Sequence, residues 1–284
     1  MTAVSRYAVF GHPVAHSQSP RLHALFAQQT GIVLEYTAID AAPDEFERAV
    51  RDFFAHGGRG ANVTLPHKAA AFALADVHTA AARRLGVANV LTALPDGRLE
   101  ADNNDGAGML ADLRARFDVD PREREVLLLG AGGAARAAAF ALLDAGARNL
   151  TIANRTPEHA YALAEATSGS QRIRVQAWSA LERCDAFDLV VNATSAGLQH
   201  ALLALPRTLV QTRTFAYDLS YGAAAQPFVA WAKQAGCATA ADGLGMLVET
   251  AAASFERWHG VRPDADVALA VLRESDSHSP AAAP

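Results

Sequence analysis

Residues 126–136 read Val126-Leu-Leu-Leu-Gly-Ala-Gly-Gly-Ala-Ala-Arg136, an apolar run that enters a glycine-rich turn and then an alanine-rich stretch. Gly130, Gly132 and Ala135 form a G-x-G-x-x-A pattern. In this pattern the first glycine permits a tight turn, the second lets backbone approach a pyrophosphate, and the alanine allows close packing of helix on strand. Phosphates then bind the free N–H groups at the positive end of the helix. A glycine turn without a ligand would look the same locally, but the order of strand, loop and helix favours a dinucleotide site.

The residues after the next predicted strand indicate which dinucleotide is bound. Folds that bind NAD place an acidic residue about 20 residues beyond the glycine loop, where it holds the ribose hydroxyls. This chain has Asn154-Arg155-Thr156 there and no acid. A carboxylate would repel a 2′-phosphate, whereas Arg155 can bind that phosphate or stack on adenine. The sequence therefore favours NADP.

Working outward, β-branched apolar runs alternate with alanine-rich amphipathic stretches, which is typical of α/β units with parallel sheets. Strands are predicted at residues 7–11, 34–39, 60–64, 89–94, 125–129, 149–153, 173–177, 188–193 and 214–219. Helices are predicted at residues 20–30, 44–55, 105–117 and 245–259, among others between the strands.

These elements predict two α/β domains and a tail. A substrate-binding domain is expected to comprise residues 1–105 and 240–275, and a Rossmann-type doubly wound domain residues 106–239. The helix at 245–259 carries an apolar face, so we expect it to return to the first domain. The last residues, 276–284, are polar and alanine-rich and are predicted to be disordered.

Composition excludes several classes of function. The chain has 284 residues, 51% of them hydrophobic, and a net charge of −5, so nucleic acid is not an expected partner. We find no membrane-length apolar run, no signal-peptide pattern, and no metal-ligand spacing among the ten histidines and two cysteines. Free cysteines suit a reducing compartment, and we expect a cytoplasmic enzyme with a small-molecule substrate, either a monomer or a homodimer.

A first polar cluster follows the first strand, at His16-Ser17-Gln-Ser19-Pro20. Ser19 has a structural interpretation as the N-cap of a helix with proline at its first position. Ser17 has no such interpretation. Two hydroxyl groups beside a helix N-terminus could hold a carboxylate, and the residues alone leave both alternatives open.

A second cluster, Asn62-Val-Thr64-Leu-Pro66-His-Lys68, ends a strand and enters a helix. Lysines are usually solvated side chains, but Lys68 would lie in the first helical turn, where the helix dipole disfavours a cation and favours proton transfer. Asp105 opens the helix at 105–117 and could serve as an N-cap or face Lys68. Spacing does not establish that the two side chains meet.

Taken together, the motifs resemble those of the shikimate dehydrogenase family. The resemblance rests on the two clusters above, on Asp102-Asn-Asn-Asp105-Gly106, Asn154-Arg155-Thr156 and Asn192-Ala-Thr-Ser195, on the glycine loop, and on Ala241-Asp-Gly243-Leu-Gly-Met246. They occur in family order from about residue 6 to residue 270. The resemblance implies reversible reduction of 3-dehydroshikimate to shikimate with NADPH, in the biosynthesis of aromatic amino acids.

The resemblance also implies residue roles. Lys68 would be the catalytic acid–base, with Asp105 orienting it. Substrate would be bound by Ser17, Ser19, Asn62, Thr64, Asn89, Tyr221 and Thr250. The cofactor would be bound by Gly130, Ala131, Gly132, Gly133, Ala134, Asn154, Arg155, Thr156, His159, Thr194, Leu219 and Gly243. No metal is implied.

Five positions depart from the family pattern. Val90 and Asn104 each replace a threonine, His159 replaces a basic residue, Leu219 a methionine and Thr250 a glutamine. We expect the Asn104 change to be mild. Loss of the glutamine amide at position 250 is the most serious, because a lost hydrogen bond to a substrate hydroxyl costs about 1–3 kcal/mol. Two alternatives therefore stay open: a related enzyme that prefers quinate, and an NADP-binding regulatory protein without catalysis.

Overall fold

The computed structural model describes residues 4–167, 171–199 and 203–278. The chain forms two compact units. The first unit comprises the residues up to Asn104 and those from Val248 onward, and the second unit comprises Asp105–Leu247. None of the described helices is both long enough and apolar enough to cross a membrane.

The sheet of the first unit has six strands in the order β2-β1-β3-β5-β6-β4. They are β1 (Ser5–Gly11), β2 (Leu34–Asp40), β3 (Gly58–Val63), β4 (Val77–His78), β5 (Val90–Ala93) and β6 (Leu99–Asp102). Strands β1, β2 and β3 are parallel, as predicted, but β5 runs antiparallel to both β3 and β6. The prediction of purely parallel sheets is wrong here, because Pro95-Asp96-Gly97, with Gly97 at φ +84°, turns the chain straight back from β5 into β6.

Four helices of the first unit precede residue 104. They are α1 (Ser19–Thr30), α2 (Phe46–Ala55), α3 (Lys68–Leu74) and α4 (Ala80–Leu85). The core on one side of the sheet contains Phe10, Phe46 and Phe53, whose rings meet edge to face. The predicted helices at 20–30 and 44–55 are confirmed to within two residues at their starts.

The sheet of the second unit is wholly parallel, in the order β12-β11-β10-β7-β8-β9. Its strands are β7 (Glu125–Leu129), β8 (Asn149–Asn154), β9 (Ile173–Ala177), β10 (Leu189–Asn192), β11 (Phe215–Asp218) and β12 (Thr239–Ala241). Its helices are α5 (Asp105–Phe117), α6 (Gly133–Asp144), α7 (Pro157–Ala166) and α8 (Gln226–Gln234). The strand order reverses between β7 and β10, so a doubly wound sheet of this kind binds its ligand at their carboxyl ends.

Two further helices follow β12, namely α9 (Leu244–His259) and α10 (Ala265–His278). As predicted, α9 returns to the first unit: Trp258 stacks on Tyr7 at 4.9 Å, and Phe255 meets Phe26 at 5.7 Å. The return occurs at residue 248 rather than 240, because β12 pairs with β11 in the second sheet. The predicted tail begins too early, since α10 continues to His278, and residues 279–284 lie outside the described part of the chain.

Candidate active site

The first serine cluster lies in the loop that joins β1 to α1. The hydroxyl Oγ of Ser17 accepts a hydrogen bond from the backbone N–H of Ser19 at 3.3 Å. Helix α1 begins at Ser19 itself, with Gln18 as its N-cap and no capping side chain. The N-cap interpretation of Ser19 is therefore wrong, and both hydroxyl groups lie at the positive N-terminal end of the helix. This arrangement is compatible with a bound carboxylate.

Ser19 is connected to the sheet through a buried tyrosine. Ser19 is a hydrogen-bond partner of Tyr36, and the Tyr36 hydroxyl donates to Oδ1 of Asn62 at 2.8 Å. Burial raises the pKa of Tyr36 well above its ordinary value, so the hydroxyl remains a donor. Nδ2 of Asn62 in turn donates to Oγ of Ser254 on α9 at 2.9 Å. Asn62 thus bridges β3 and α9, which the sequence did not indicate.

Asn89 is held by a pair of hydrogen bonds to Asn104. Nδ2 of Asn89 donates to Oδ1 of Asn104 at 2.7 Å, and the backbone N–H of Asn104 donates to Oδ1 of Asn89 at 3.0 Å. The carboxamide of Asn104 also donates to the backbone oxygen of Thr250 at 3.0 Å and to Ser254 at 3.1 Å. These bonds fix which way the Asn89 amide faces. Asn104 is therefore more than a neutral replacement for threonine.

Lys68 is the first residue of α3, as the sequence predicts. Its backbone oxygen accepts from the N–H of Ala88 at 2.8 Å, which places the start of α3 beside Asn89. His67 fixes the loop between β3 and α3. Its buried ring stacks on that of Phe46 with the centroids 4.3 Å apart, and its Nε2 is hydrogen-bonded to the backbone oxygen of Ala41 at 2.7 Å. Thr64, in the same loop, has its N–H bonded to the oxygen of Phe10 at 2.9 Å.

Asp105 is the buried first residue of α5, so it lies within the helix rather than capping it. It follows Asn104 directly and opens the second unit. The next residue is Gly106, where a Cβ would meet the backbone oxygen of Ala137 at 2.7 Å. The glycine lets α5 approach α6 closely and so fixes the start of α5. That Asp105 pairs with Lys68 stays a prediction.

The glycine loop has the geometry that a pyrophosphate requires. Gly130 has φ +108° and lies against the backbone of Ala193, where a Cβ would be 2.8 Å from the carbonyl oxygen. At Gly132 a Cβ would meet nothing within 4 Å, so the loop faces open space. Helix α6 begins at Gly133 with Gly132 as its N-cap and no capping side chain. The loop therefore fits a dinucleotide phosphate held by backbone N–H groups.

The adenosine end of the predicted site follows β8. Asn154 ends the strand, and its Nδ2 donates to the oxygen of Thr156 at 2.8 Å. Thr156 is the N-cap of α7 without a side-chain bond, and Arg155, Thr156 and His159 are all exposed. An uncapped helix N-terminus beside an arginine and a histidine fits a 2′-phosphate.

The remaining predicted cofactor residues follow β10, β11 and β12. Thr194 comes two residues after β10, Leu219 one residue after β11, and Gly243 two residues after β12. A Cβ at Gly243 would meet the backbone oxygen of Leu219 at 2.5 Å, so these two segments lie in contact. Asp218, which the sequence did not single out, lies buried among them, and burial raises its pKa to about 7.

Comparison with known proteins identifies the family. The model described as the shikimate dehydrogenase substrate binding domain matches residues 9–91, shikimate / quinate 5-dehydrogenase matches residues 112–213, and the shikimate 5′-dehydrogenase C-terminal domain matches residues 243–273. The shikimate dehydrogenase (NADP(+)) of Xanthomonas campestris pv. campestris strain B100 is 54% identical over 276 residues, 96% of this chain and 97% of that one. The chain belongs to the shikimate dehydrogenase family.

Solved structures of similar proteins share the fold. The shikimate 5-dehydrogenase of Thermus thermophilus, in complex with NADP(H) and shikimate, is 35% identical with a TM-score of 0.84, over 96% of this chain and all of that one. An Ael1 enzyme from Pseudomonas putida is 44% identical with a TM-score of 0.86, over 94% of this chain and 98% of that one. The predicted α/β fold with a Rossmann-type second domain is confirmed.

Within this family fold, the departures differ in their surroundings. Val90 opens β5, is buried, and pairs with Asn62 and Asp102 across the sheet, so it is a core residue here. Thr250 is also buried, at 8% exposure, and its backbone oxygen accepts from Asn104 and from Ser254. Of the residues predicted to bind substrate, Tyr221 alone lies in the second unit. Their individual roles stay predictions.

Proposed function

We propose that this chain is an NADP-dependent shikimate dehydrogenase, which reversibly reduces 3-dehydroshikimate to shikimate. The observation that carries the proposal is 54% identity to a curated enzyme of that name along 96% of the chain. The residues that the chemistry needs support it. In the first unit, Lys68 and Asn89 lie beside the end of β3 and the start of β5, and in the second unit an open glycine loop follows β7.

Substrate binding is assigned to the first unit, with Tyr221 contributing from the second. Ser17 and Ser19 hold the carboxylate with their hydroxyl groups beside the N-terminus of α1, whose positive dipole end favours an anion. Asn62, Thr64 and Asn89 bind the ring hydroxyls. Because Asn104 fixes the amide of Asn89, that side chain meets the substrate already oriented, which reduces the entropy lost on binding.

Lys68 moves the proton. In the direction of reduction, its ammonium group donates a proton to the oxygen of the carbonyl group while that carbon becomes a secondary alcohol. In the opposite direction, the neutral amine takes the hydroxyl proton. Asp105 orients the amine and stabilises its charged form. NADPH, when bound, supplies the hydride that the ring carbon receives, and the protein residues supply position and proton.

The residues of the second unit fit the nucleotide. The N-terminus of α6 and the open position at Gly132 accommodate the pyrophosphate. Arg155, Thr156 and His159 would hold the 2′-phosphate at the exposed N-terminus of α7. Because His159 stands where the resemblance predicts a more basic residue, we expect a weaker hold on the 2′-phosphate and a smaller preference for NADP over NAD.

Turnover of shikimate tests the proposal directly. Purified protein with shikimate and NADP⁺ should produce the absorbance of NADPH. We expect Lys68→Ala to lower kcat by about 10²–10⁴-fold, the usual contribution of general acid–base catalysis. The chain offers a matched control, since its second lysine, Lys233, is exposed on α8, and Lys233→Ala should retain full activity. Unchanged turnover in Lys68→Ala would show that the mechanism is wrong.

A second candidate function, preference for quinate or a related polyol, is favoured by one residue. Thr250 stands where the resemblance predicts a glutamine, so an amide that would bind a substrate hydroxyl is missing. Comparing shikimate with quinate, each with NADP⁺ and NAD⁺, separates the candidates. A tenfold preference for quinate in kcat/KM would favour the second. Binding of NADP⁺ without turnover of any cyclic polyol would favour a regulatory protein instead.

The cytoplasm is the compartment that we propose for this enzyme, because both of its cysteines, Cys184 and Cys237, are free thiols. Cell fractionation would test the compartment. For its assembly, monomer and homodimer remain the two alternatives, which sedimentation of the purified protein distinguishes.

A further inference from the structure

Two buried polar residues end neighbouring strands of the second unit. Asn192 is the last residue of β10 and Asp218 the last of β11, and the parallel register places them side by side. Asn192 is 3% exposed and Asp218 is not exposed at all. Nδ2 of Asn192 donates to Oδ2 of Asp218 at 2.7 Å. Burying a carboxylate costs free energy unless hydrogen-bond donors surround it, so the burial of Asp218 needs a structural or functional explanation.

The pair connects two segments that carry predicted cofactor residues. Oδ1 of Asn192 accepts from the backbone N–H of Thr194 at 3.1 Å and from its hydroxyl at 2.8 Å. Oδ1 of Asp218 accepts from the backbone N–H of Ser220 at 2.8 Å. Ser220 lies between Leu219 and Tyr221, and its oxygen accepts from the N–H of Gly243 at 2.8 Å. The side-chain bond between Asn192 and Asp218 therefore joins the segments after β10 and β11, and the backbone bond from Gly243 to Ser220 connects them to the segment after β12.

We propose that Asp218 is a positioning residue for the nicotinamide end of the cofactor site: through Asn192 it fixes the Thr194 turn, and through Ser220 it fixes Leu219 and Gly243. This inference rests on the proposed function, because it assumes that NADP binds at the carboxyl ends of these strands. Asp218 is buried and acts through its neighbours rather than by touching the cofactor.

The bonding pattern favours the ionised carboxylate. Both of its oxygens face N–H donors, from Asn192 and Ser220, and the Ser220 hydroxyl is a further partner. Protonation removes the negative charge that strengthens these bonds and takes one of the acceptor positions that the donors share. The pKa of Asp218 is raised to about 7, chiefly by burial and to a smaller extent by the neighbouring charge of Asp242, in the loop between β12 and α9. Below neutral pH the positioning contact should therefore loosen.

The variant Asp218→Asn tests this, because its amide keeps the shape but must turn a donor toward one of the two N–H groups. It should resemble the protonated wild type. At pH 8 we expect calorimetry to give a Kd for NADP⁺ about tenfold higher than that of the wild type, because the variant loses one hydrogen bond to a charged group. At pH 6 the two proteins should agree within about twofold.

Adenosine 2′,5′-bisphosphate is the matched ligand, because it carries the adenosine and the 2′-phosphate but no nicotinamide. Its Kd should be the same for both proteins at each pH, and titration of the shared 2′-phosphate cancels in the comparison. The control variant is Asp112→Asn, which removes another buried carboxylate of the second unit, bonded to Tyr217 and Arg116. It should leave the Kd of both ligands unchanged.

Three outcomes would overturn the inference: unchanged NADP⁺ binding at pH 8, equal weakening of the bisphosphate, or a gap between the proteins that does not close at pH 6. Asn192→Ala provides a second route should Asp218→Asn fail to fold, since it should weaken NADP⁺ selectively in the same way. Turnover of shikimate by the wild type is measured first. Absence of that turnover contradicts the proposed function, whereas normal turnover with unchanged Asp218→Asn binding contradicts only the positioning role.

Discussion

At the scale of single residues, Asn104 offers a test of how the substrate side is organised. Asn104→Thr removes the carboxamide that bonds Asn89 at 2.7 Å but keeps the backbone N–H that bonds it at 3.0 Å. Since an orienting bond to Asn89 is lost, we expect KM for shikimate to rise about tenfold, with KM for NADP⁺ unchanged. Steady-state kinetics with each substrate varied in turn measures the difference.

The control for that variant is Asn149→Ala, which removes a side-chain amide from the second unit, where it bonds Glu125. It should leave both KM values unchanged. An Asn104→Thr enzyme with a normal KM for shikimate would mean that the backbone bond alone orients Asn89, and that the expectation of a mild change was right.

Thr250→Gln restores the amide that the family pattern predicts. The backbone of Thr250 is already held by Asn104 and Ser254, so the longer side chain should be presented from a fixed position. We expect kcat/KM for shikimate to rise about three- to tenfold, the contribution of one uncharged hydrogen bond. The same assay with quinate is the control. No gain with shikimate would mean that another group compensates for the threonine.

Sequence reasoning located these residues unevenly. Lys68 was predicted in the first turn of a helix, and it is the first residue of α3, because a proline and a strand end announce that boundary. The partners of Asn104 were not predictable, since Thr250 and Ser254 lie 146 and 150 residues away in the chain. The role of Asp218 was not predictable either, because its partner Asn192 lies on a different strand. Its meaning depends on the register of β10 with β11, which no local pattern records.

At the scale of elements, a substitution at the start of α6 should change the affinity for NADP⁺ without changing the stability of the fold. At Gly132 a Cβ meets nothing within 4 Å, so Gly132→Ala should change the free energy of unfolding by less than about 0.5 kcal/mol. The added methyl group would nevertheless stand where the pyrophosphate approaches. We expect Kd for NADP⁺ to rise about tenfold or more. Chemical denaturation and calorimetry measure the two quantities on the same samples.

Gly130→Ala is the contrasting variant. Gly130 has φ +108°, and its Cβ would lie 2.8 Å from the oxygen of Ala193, so we expect a loss of about 1–3 kcal/mol of stability. If Gly132→Ala were equally destabilising, or bound NADP⁺ normally, the assignment of this loop to the pyrophosphate would be wrong.

Elements with a strong pattern were predicted well, and short ones were not. Strands β7 and β8 match their predicted spans to within a residue, because each is a buried apolar run bounded by turn residues. Strand β4 has only two residues and β6 four, and the sequence Leu99–Asp102 is half polar. The sequence did contain a hairpin signal before β6, Pro95-Asp96-Gly97, whose significance becomes clear from the antiparallel pairing.

At the scale of the whole molecule, the two units should respond to acid in opposite directions. In the first unit His23 is fully buried against Tyr36, with ring centroids 4.0 Å apart, and burial lowers its pKa to about 3. Unfolding lets this histidine take up a proton below about pH 6.5, so its contribution to stability falls as the pH drops toward 3. In the second unit burial raises the pKa of Asp218 to about 7, so its contribution to stability grows as the pH falls from 7 toward 4.

We therefore expect the first unit to unfold at a higher pH than the second. Trp258 lies in the first unit, and Trp178 and Trp231 lie in the second. The fluorescence of a variant that retains only Trp258 therefore reports the first unit, and that of a variant that retains only Trp178 and Trp231 reports the second. His23→Phe keeps the stacked ring and removes the titration. It should move the acid midpoint of the first unit down by about half a pH unit or more, without moving that of the second. His56→Phe, an exposed control, should move neither midpoint, and a single shared midpoint that His23→Phe leaves in place would contradict this account.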